Sequence, residues 1–183
     1  MAREFIRYIL IVAIVFLCLV TGCTQHDARV READGFAIYL AEQSVEAAQI
    51  LQMDVDSIPL EDTPVITIDD IVRYEKETHS MELTPSAYER LMQMGVPVNG
   101  RPFVICLDGK PVYAGAFWVF WSSLSFDGVV IMLPALMDST TVQIELGYPG
   151  SDFFQGKDPR NNKKIFRSLE QAGKLVRDGI TSK

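Results

Sequence analysis

The sequence predicts an α+β fold: a small, mainly antiparallel sheet with two or three helices packed on it, following an N-terminal signal helix. Three observations carry that expectation. Short apolar runs recur between turn signals, as buried strands do. Two Asp-Gly pairs, Asp108-Gly109 and Asp127-Gly128, supply the positive φ angles that tight turns need. Two segments open with capping residues and continue with apolar residues at helical spacing. At 183 residues, with 48% hydrophobic and 22% charged residues, the chain has the length of one domain and an ordinary globular composition. Its net charge of −7 excludes a general nucleic-acid binder, because neutralising phosphates takes clustered Lys and Arg. The same charge disfavours attachment to anionic lipid by electrostatics alone.

Taken in order, the chain begins with Arg3 and Arg7 in a basic stretch, an apolar run from Tyr8 to Val20, and the small residues Thr21 and Gly22 before Cys23. That is the layout of a targeting peptide. The run is short of the roughly 20 residues a spanning helix needs, although Phe5 and Ile6 extend it toward a plain anchor. Leu19-Val20-Thr21-Gly22-Cys23 resembles the lipobox of prokaryotic lipoproteins. The resemblance implies a signal peptide over 1–22, diacylation of the Cys23 thiol and cleavage before it. Two acyl chains hold a protein at a membrane firmly where one gives marginal binding. The expected location is the cell membrane, with the mature chain lipid-anchored on its extracytoplasmic side.

Residues 23–34 are polar and read as a tether, and 35–183 as a single extracytoplasmic domain. Phe36–Leu40 reads as a buried first strand, and Glu42–Met53 as a mixed pattern fitting either a short helix or a strand. Asp54, Asp56, Glu61 and Asp62 have the alternation of a calcium loop without its turn glycine or distal Glu, so a solvated turn is expected. Pro64–Thr67 predicts a strand. Thr67 with Asp69 and Asp70 predicts a short helix after it, turning Ile68, Ile71, Val72 and Tyr74 partly inward. His79–Leu83 alternates as a strand, with His79 an ordinary strand or turn residue. Thr84-Pro85 opens a second helix, with Tyr88, Leu91, Met92 and Met94 on its buried side and Gly95 at its end.

Phe103–Leu107, Asp108-Gly109 and Lys110–Ala114 predict a hairpin, with Pro111 at an edge or with its N–H side facing outward. Val129–Leu133 is another buried-strand pattern. The run from Leu83 to Gly115, followed by SFDGVVI, resembles part of the periplasmic domain of the export subunit SecD. The resemblance implies a helix-plus-hairpin unit and an extracytoplasmic location; SecD's further membrane helices have no counterpart after Val20. Toward the C-terminus, Thr141–Leu146 alternates as a half-exposed strand. A Gly- and Pro-rich loop then leads to a helix capped by Asn161 or Asn162, with Ile165, Leu169, Ala172 and Val176 as its stripe, Phe166 beside them, and Lys174 and Arg177 near its end.

The chemistry the sequence offers is sparse. It contains no Walker loop, dinucleotide fingerprint, nucleophile elbow, zinc-protease motif or Cys-x-x-Cys. Cys106 is the one thiol of the domain and reads as a small buried hydrophobe; a catalytic thiol would need a histidine beside it, and the sequence offers His26 in the tether and His79. No enzyme activity, cofactor or metal is expected. The feature left over is Phe117–Trp121, four aromatic residues in five positions. Asp127 near the middle of the apolar window around it rules out a membrane span. Alternation puts Ala114, Ala116, Trp118 and Phe120 on one face, and Tyr113, Gly115, Phe117, Val119 and Trp121 on the other. One face can be met by helices, which leaves Tyr113, Phe117, Trp118 and Trp121 as the expected contact surface. The sequence thus predicts a membrane-anchored binding module with an envelope protein partner. A small hydrolase or ligand carrier with its site beside Phe117–Trp121 is the alternative.

Overall fold

The computed structural model describes residues 33–133 and 140–176. The signal segment, Cys23 and Arg177 lie outside them. The strands are β1 (Phe36–Leu40), β2 (Ile66–Thr67), β3 (Ile71–Glu75), β4 (Ser80–Leu83), β5 (Arg101–Leu107), β6 (Lys110–Trp118), β7 (Phe126–Met132), β8 (Thr141–Tyr148) and β9 (Leu175–Val176). The helices are α1 (Ala47–Ile50), α2 (Pro85–Gln93) and α3 (Lys163–Gln171). The strands form one sheet in the order β2-β1-β5-β6-β7-β8-β4-β3-β9. The class is therefore mixed α+β with a mostly antiparallel sheet. Nine strands make it a large sheet, which corrects the expectation of a small one. The strands beyond the expectation are β3, where a helix was expected, and β9, where the stripe of the last helix was expected to continue.

The β5–β6 hairpin forms as expected, with Asp108 at φ 49° and Gly109 at φ 72° in its turn. Pro111 is not on an edge strand. It sits opposite Cys106 at an irregularity in the β5–β6 ladder and before the stretch where β6 pairs with β7, so its missing N–H breaks no bond to β7. β6 and β7 run parallel, Gly115 to Trp118 beside Val129 to Met132, although only residues 119–125 join them. Parallel neighbours usually need a crossover of about a dozen residues or more, so this short link has no room for a helix.

The predicted helix after Thr67 is a single 3-10 turn, Ile68–Asp70, followed by strand β3. Asp70 closes the turn by accepting hydrogen bonds from the Thr67 N–H at 2.9 Å and hydroxyl at 3.0 Å, and it pairs with Arg90 of α2 at 2.8 Å. The β-branched residues that follow favour an extended chain, and β4 offers them a partner. Ile71 and Tyr74 are buried, whereas Val72 is exposed. Helix α2 matches expectation: Thr84 caps it, Pro85 occupies its first turn, and Ala87 and Leu91 are buried. Helix α3 is capped by Asn162, whose side chain accepts from the Lys164 N–H at 2.8 Å. It ends earlier than its apolar stripe suggested. Gly173, at φ 69°, turns the chain, so Val176 belongs to β9, parallel to β3, and is exposed.

Both faces of the sheet are covered. On one, Phe36, Ile38, Phe103, Ile105, Phe117, Ile131 and Ile144 pack under Ala87 and Leu91 of α2 and Ile165 and Leu169 of α3. On the other, Ala37, Tyr39, Val104, Cys106, Ala116, Trp118 and Val130 pack under Val45, Ala47, Ile50 and Ile58. Burial on both sides explains why β1 and β5 read as unbroken apolar runs rather than alternating ones. Among the described residues, no helix is long and apolar enough to cross a membrane.

Candidate functional site

The aromatic run divides between core and surface at the end of β6. Tyr113, Phe117 and Trp118 are 8%, 0% and 2% exposed, which corrects their assignment to a contact surface. Phe117 packs on the Phe103 ring, 5.0 Å between centroids, and Trp118 stacks on Phe126 at 5.2 Å and lies against Tyr148 at 5.9 Å. The covers that the sequence reading missed are the 45–58 segment and Phe126. The 45–58 segment lies more than fifty residues before β6, and Phe126 reaches Trp118 only because β7 folds back beside β6.

Past Trp118 the chain leaves the sheet, and there two large rings do face solvent. Trp121 is 55% and Phe120 49% exposed, their rings edge to face at 4.7 Å. Leu124, Phe153 and Val98 are exposed as well. The loop backbone is nonetheless fixed. The Tyr148 hydroxyl lies 2.8 Å from the Phe120 carbonyl and 3.1 Å from that of Ser122, positioned to donate to either. The Ser122 hydroxyl donates to the Val98 carbonyl at 2.6 Å. Beside Trp121 runs an apolar groove of about 320 Å³ lined by Leu91, Met92, Val96, Val119 and Leu133. A backbone held in place beneath exposed rings lowers the entropy lost when those rings are buried against another surface.

A second concentration of chemistry lies at the β3–β4 turn. His79 is 5% exposed and has φ 53°, a left-handed conformation that histidine tolerates better than most residues. Its Nδ1 is 3.0 Å from the Tyr74 hydroxyl, and Phe166 of α3 lies nearly parallel to its ring, 6.4 Å away. Arg160 grips Asp158 through Nε and Nη2 and donates from Nη1 to the Ile144 carbonyl at 2.8 Å. Those contacts hold the Asp158 carboxyl below the usual carboxylate range despite its partial burial. Burial, then the nearby Arg160 charge, lowers the His79 pKa. Histidine in a turn was legible; its inward side chain was not, because Arg160 and Phe166 come from the other end of the domain.

No match to this chain is found among known protein families, curated proteins or solved structures. Function therefore has to be argued from geometry. Asp54, read as part of a solvated turn, caps the 3-10 turn Val55–Ser57 by accepting from the Asp56 N–H at 3.2 Å. Among the described residues, no three His, Cys, Asp or Glu side chains stand together as a metal site. A groove of about 840 Å³ of mixed lining separates the 108–112 turn from α3, with Gly35, Lys110, Lys164 and Arg167 among its lining.

Cys106 and His79 belong to opposite faces of the sheet: Cys106 sits in the layer with Trp118, and His79 contacts Tyr74 and Phe166 of the other. They cannot act as a nucleophile–base pair. Burial pushes the Cys106 thiol up to about 11, so the reactive thiolate is scarce at neutral pH. Iodoacetamide is accordingly expected to leave Cys106 unmodified in the native protein over hours at pH 7.5 and to alkylate it promptly in urea, read by peptide mass spectrometry. Rapid native labelling at Cys106 would contradict the burial described.

Proposed function

We propose that the chain is a lipid-anchored extracytoplasmic binding module that meets an envelope protein through the loop 119–125. The observation that carries this reading is the pair Phe120 and Trp121, exposed yet standing on a hydrogen-bonded backbone. Aromatic anchors of this kind supply most of the energy at protein interfaces. The lipobox-like LVTGC supplies the anchor in this reading, and the SecD-like stretch suggests an export or envelope assembly as the setting. Strand direction supports the choice of partner. The tether joins the domain at Gly35, whose N–H bonds to the Asp108 side chain at 2.8 Å beside the start of β6. The loop lies at the other end of β6, about 26 Å away at 3.3 Å per residue. It lies at the opposite end of β6 from the point where residue 35 enters the sheet.

In crosslinked membranes, Phe120→Ser with Trp121→Ser is expected to lose at least tenfold of the partner recovered with the wild type. Thermal stability is expected to stay within about 2 °C, since exposed substitutions change stability little. Equal recovery from both proteins rejects the loop as the contact. The anchor is tested separately by mass spectrometry of the membrane fraction, where a mature N-terminus other than lipid-modified Cys23 rejects lipidation. The groove beside Trp121 favours a second reading, a carrier of a small apolar ligand. A thermal-shift screen distinguishes it, because a ligand bound only by the native state raises stability.

A further inference from the structure

The N–H and C=O of Ile144 both serve the segment around the β3–β4 turn. The N–H donates to the His79 carbonyl at 3.1 Å, and the C=O accepts from Arg160 at 2.8 Å. His79 and Arg160 are thereby fastened to the same residue of β8, one from each end of the domain. Phe166, six residues after Arg160, lies along the imidazole and against Tyr74, with the Lys76 ammonium 5.4 Å above its own ring. After α3 the chain returns to β3, where the Tyr74 N–H bonds to the Lys174 carbonyl at 2.7 Å. The 158–176 segment thus meets the buried imidazole through Phe166 of α3 and is tied to the neighbouring strands through Arg160 and Lys174.

We propose that His79 is an acid-sensitive latch that holds α3 and β9 against β3, β4 and β8 while neutral and loosens them when protonated.

Burial first, and then the Arg160 charge, make protonation of the ring unfavourable, with Asp158 and Glu77 acting in the opposite direction. Arg160 is a permanent cation, and Lys76 is a second one at the turn. The Asp158 carboxylate already makes three contacts with Arg160, and Glu77 is exposed. Tyr74 and Tyr113 keep their protons, because burial raises both well above the ordinary phenol value. In the tautomer with the proton on Nε2, the Tyr74 hydroxyl donates to Nδ1 of the neutral ring. A protonated ring donates from both nitrogens, so the Tyr74 hydroxyl would have to turn its proton elsewhere inside a buried site. Glu145 is the other group affected nearby, raised by burial against the opposing effect of Arg160.

The direction of the pH dependence follows. The native pKa of His79 lies below the unfolded value of about 6.5, so the native state binds fewer protons than the unfolded state as pH falls below 6.5. Stability from the neutral ring is fully present above that value and is lost between it and the lower native pKa. Release of α3 also opens the 840 Å³ groove, because α3 forms one wall of it through Lys164, Arg167 and Ser168.

The test uses the full chain in detergent micelles. The chain has two histidines, His26 and His79, so their NMR signals are readily separated. His79 is expected to titrate below the ordinary histidine value of about 6.5; a midpoint at or above that value overturns the proposal. Hydrogen–deuterium exchange, corrected for intrinsic rates, is expected to show α3 amides losing at least tenfold protection between pH 7.5 and pH 5. Amides of β1 and β5 are expected to keep theirs. His79→Asn, neutral and tolerant of the left-handed turn, is expected to remove that pH dependence. Unchanged α3 protection in the wild type, or an equal acid loss in His79→Asn, overturns the latch. Should the variant not fold, the wild-type titration and exchange still decide.

Discussion

Phe117→Ala is expected to lower the stability of the domain by about 3 to 5 kcal/mol, the usual range for emptying an aromatic site in a core. The size follows from its surroundings. Phe117 has no exposed surface, stands between Arg101 of β5 and Ile131 of β7 in the sheet, and packs on the Phe103 ring. Its cavity would lie between the sheet and the helices, bordered by Phe103, Ile131, Leu91 and Leu169, all buried and held by their own elements. Urea denaturation is the measurement, with the midpoint falling and the slope unchanged. Trp121→Ala, four positions along the same aromatic run, is expected to change stability by less than about 0.5 kcal/mol, because that ring is more than half exposed. The contrast separates core from contact surface within one stretch of sequence. Similar small losses at both positions would mean that the face of β6 bearing Phe117 is open after all.

That contrast also marks how far the sequence could be read. The alternation from Tyr113 to Trp118 assigns the two faces of β6 correctly, because pleating is local and follows from strand geometry alone; Val112, beside the ladder irregularity, packs in the same layer as Tyr113. Whether a face is covered is not local. Trp118 is roofed by Ala47 and its neighbours, some 70 positions earlier, and Phe117 shares its layer with Leu91 and Leu169. The caps were legible for the same reason as the pleat: Thr84 and Asn162 bond to N–H groups within three residues. The turn after Thr67 shows where local signals compete. Thr67 and Asp70 form the cap that their spacing implies, but the β-branched residues beyond find a partner in β4, and one helical turn is all that survives. The His79 cluster lay beyond reach because it joins positions 74 and 79 to 158, 160 and 166 through side chains alone. No periodicity carries that information.

Gly115→Val is expected to cost about 3 kcal/mol, at the upper end of what overpacking usually does. A Cβ built at Gly115 would stand 2.5 Å from the Val129 carbonyl oxygen and 2.6 Å from the Phe103 ring. Neither neighbour can retreat. Val129 is the residue paired with Gly115 in the parallel β6–β7 ladder, and Phe103 is wholly buried against Phe117. Relief would have to come from separating β6 and β7, which join the hairpin half of the sheet to the half containing β8, β4 and β3. Gly150→Ala is the control. Gly150 has φ −174°, extended backbone that any residue adopts, and a Cβ there meets nothing within 4 Å, so it is expected to be neutral within about 0.5 kcal/mol. A mild effect of Gly115→Val would mean that the two strands do not lie as close as described. The glycine then has a use beyond itself, because the close approach it permits helps two parallel strands pair across a connection too short for a helix. That connection is the segment carrying Phe120 and Trp121, so the tight β6–β7 pairing helps set the path of the loop that presents them.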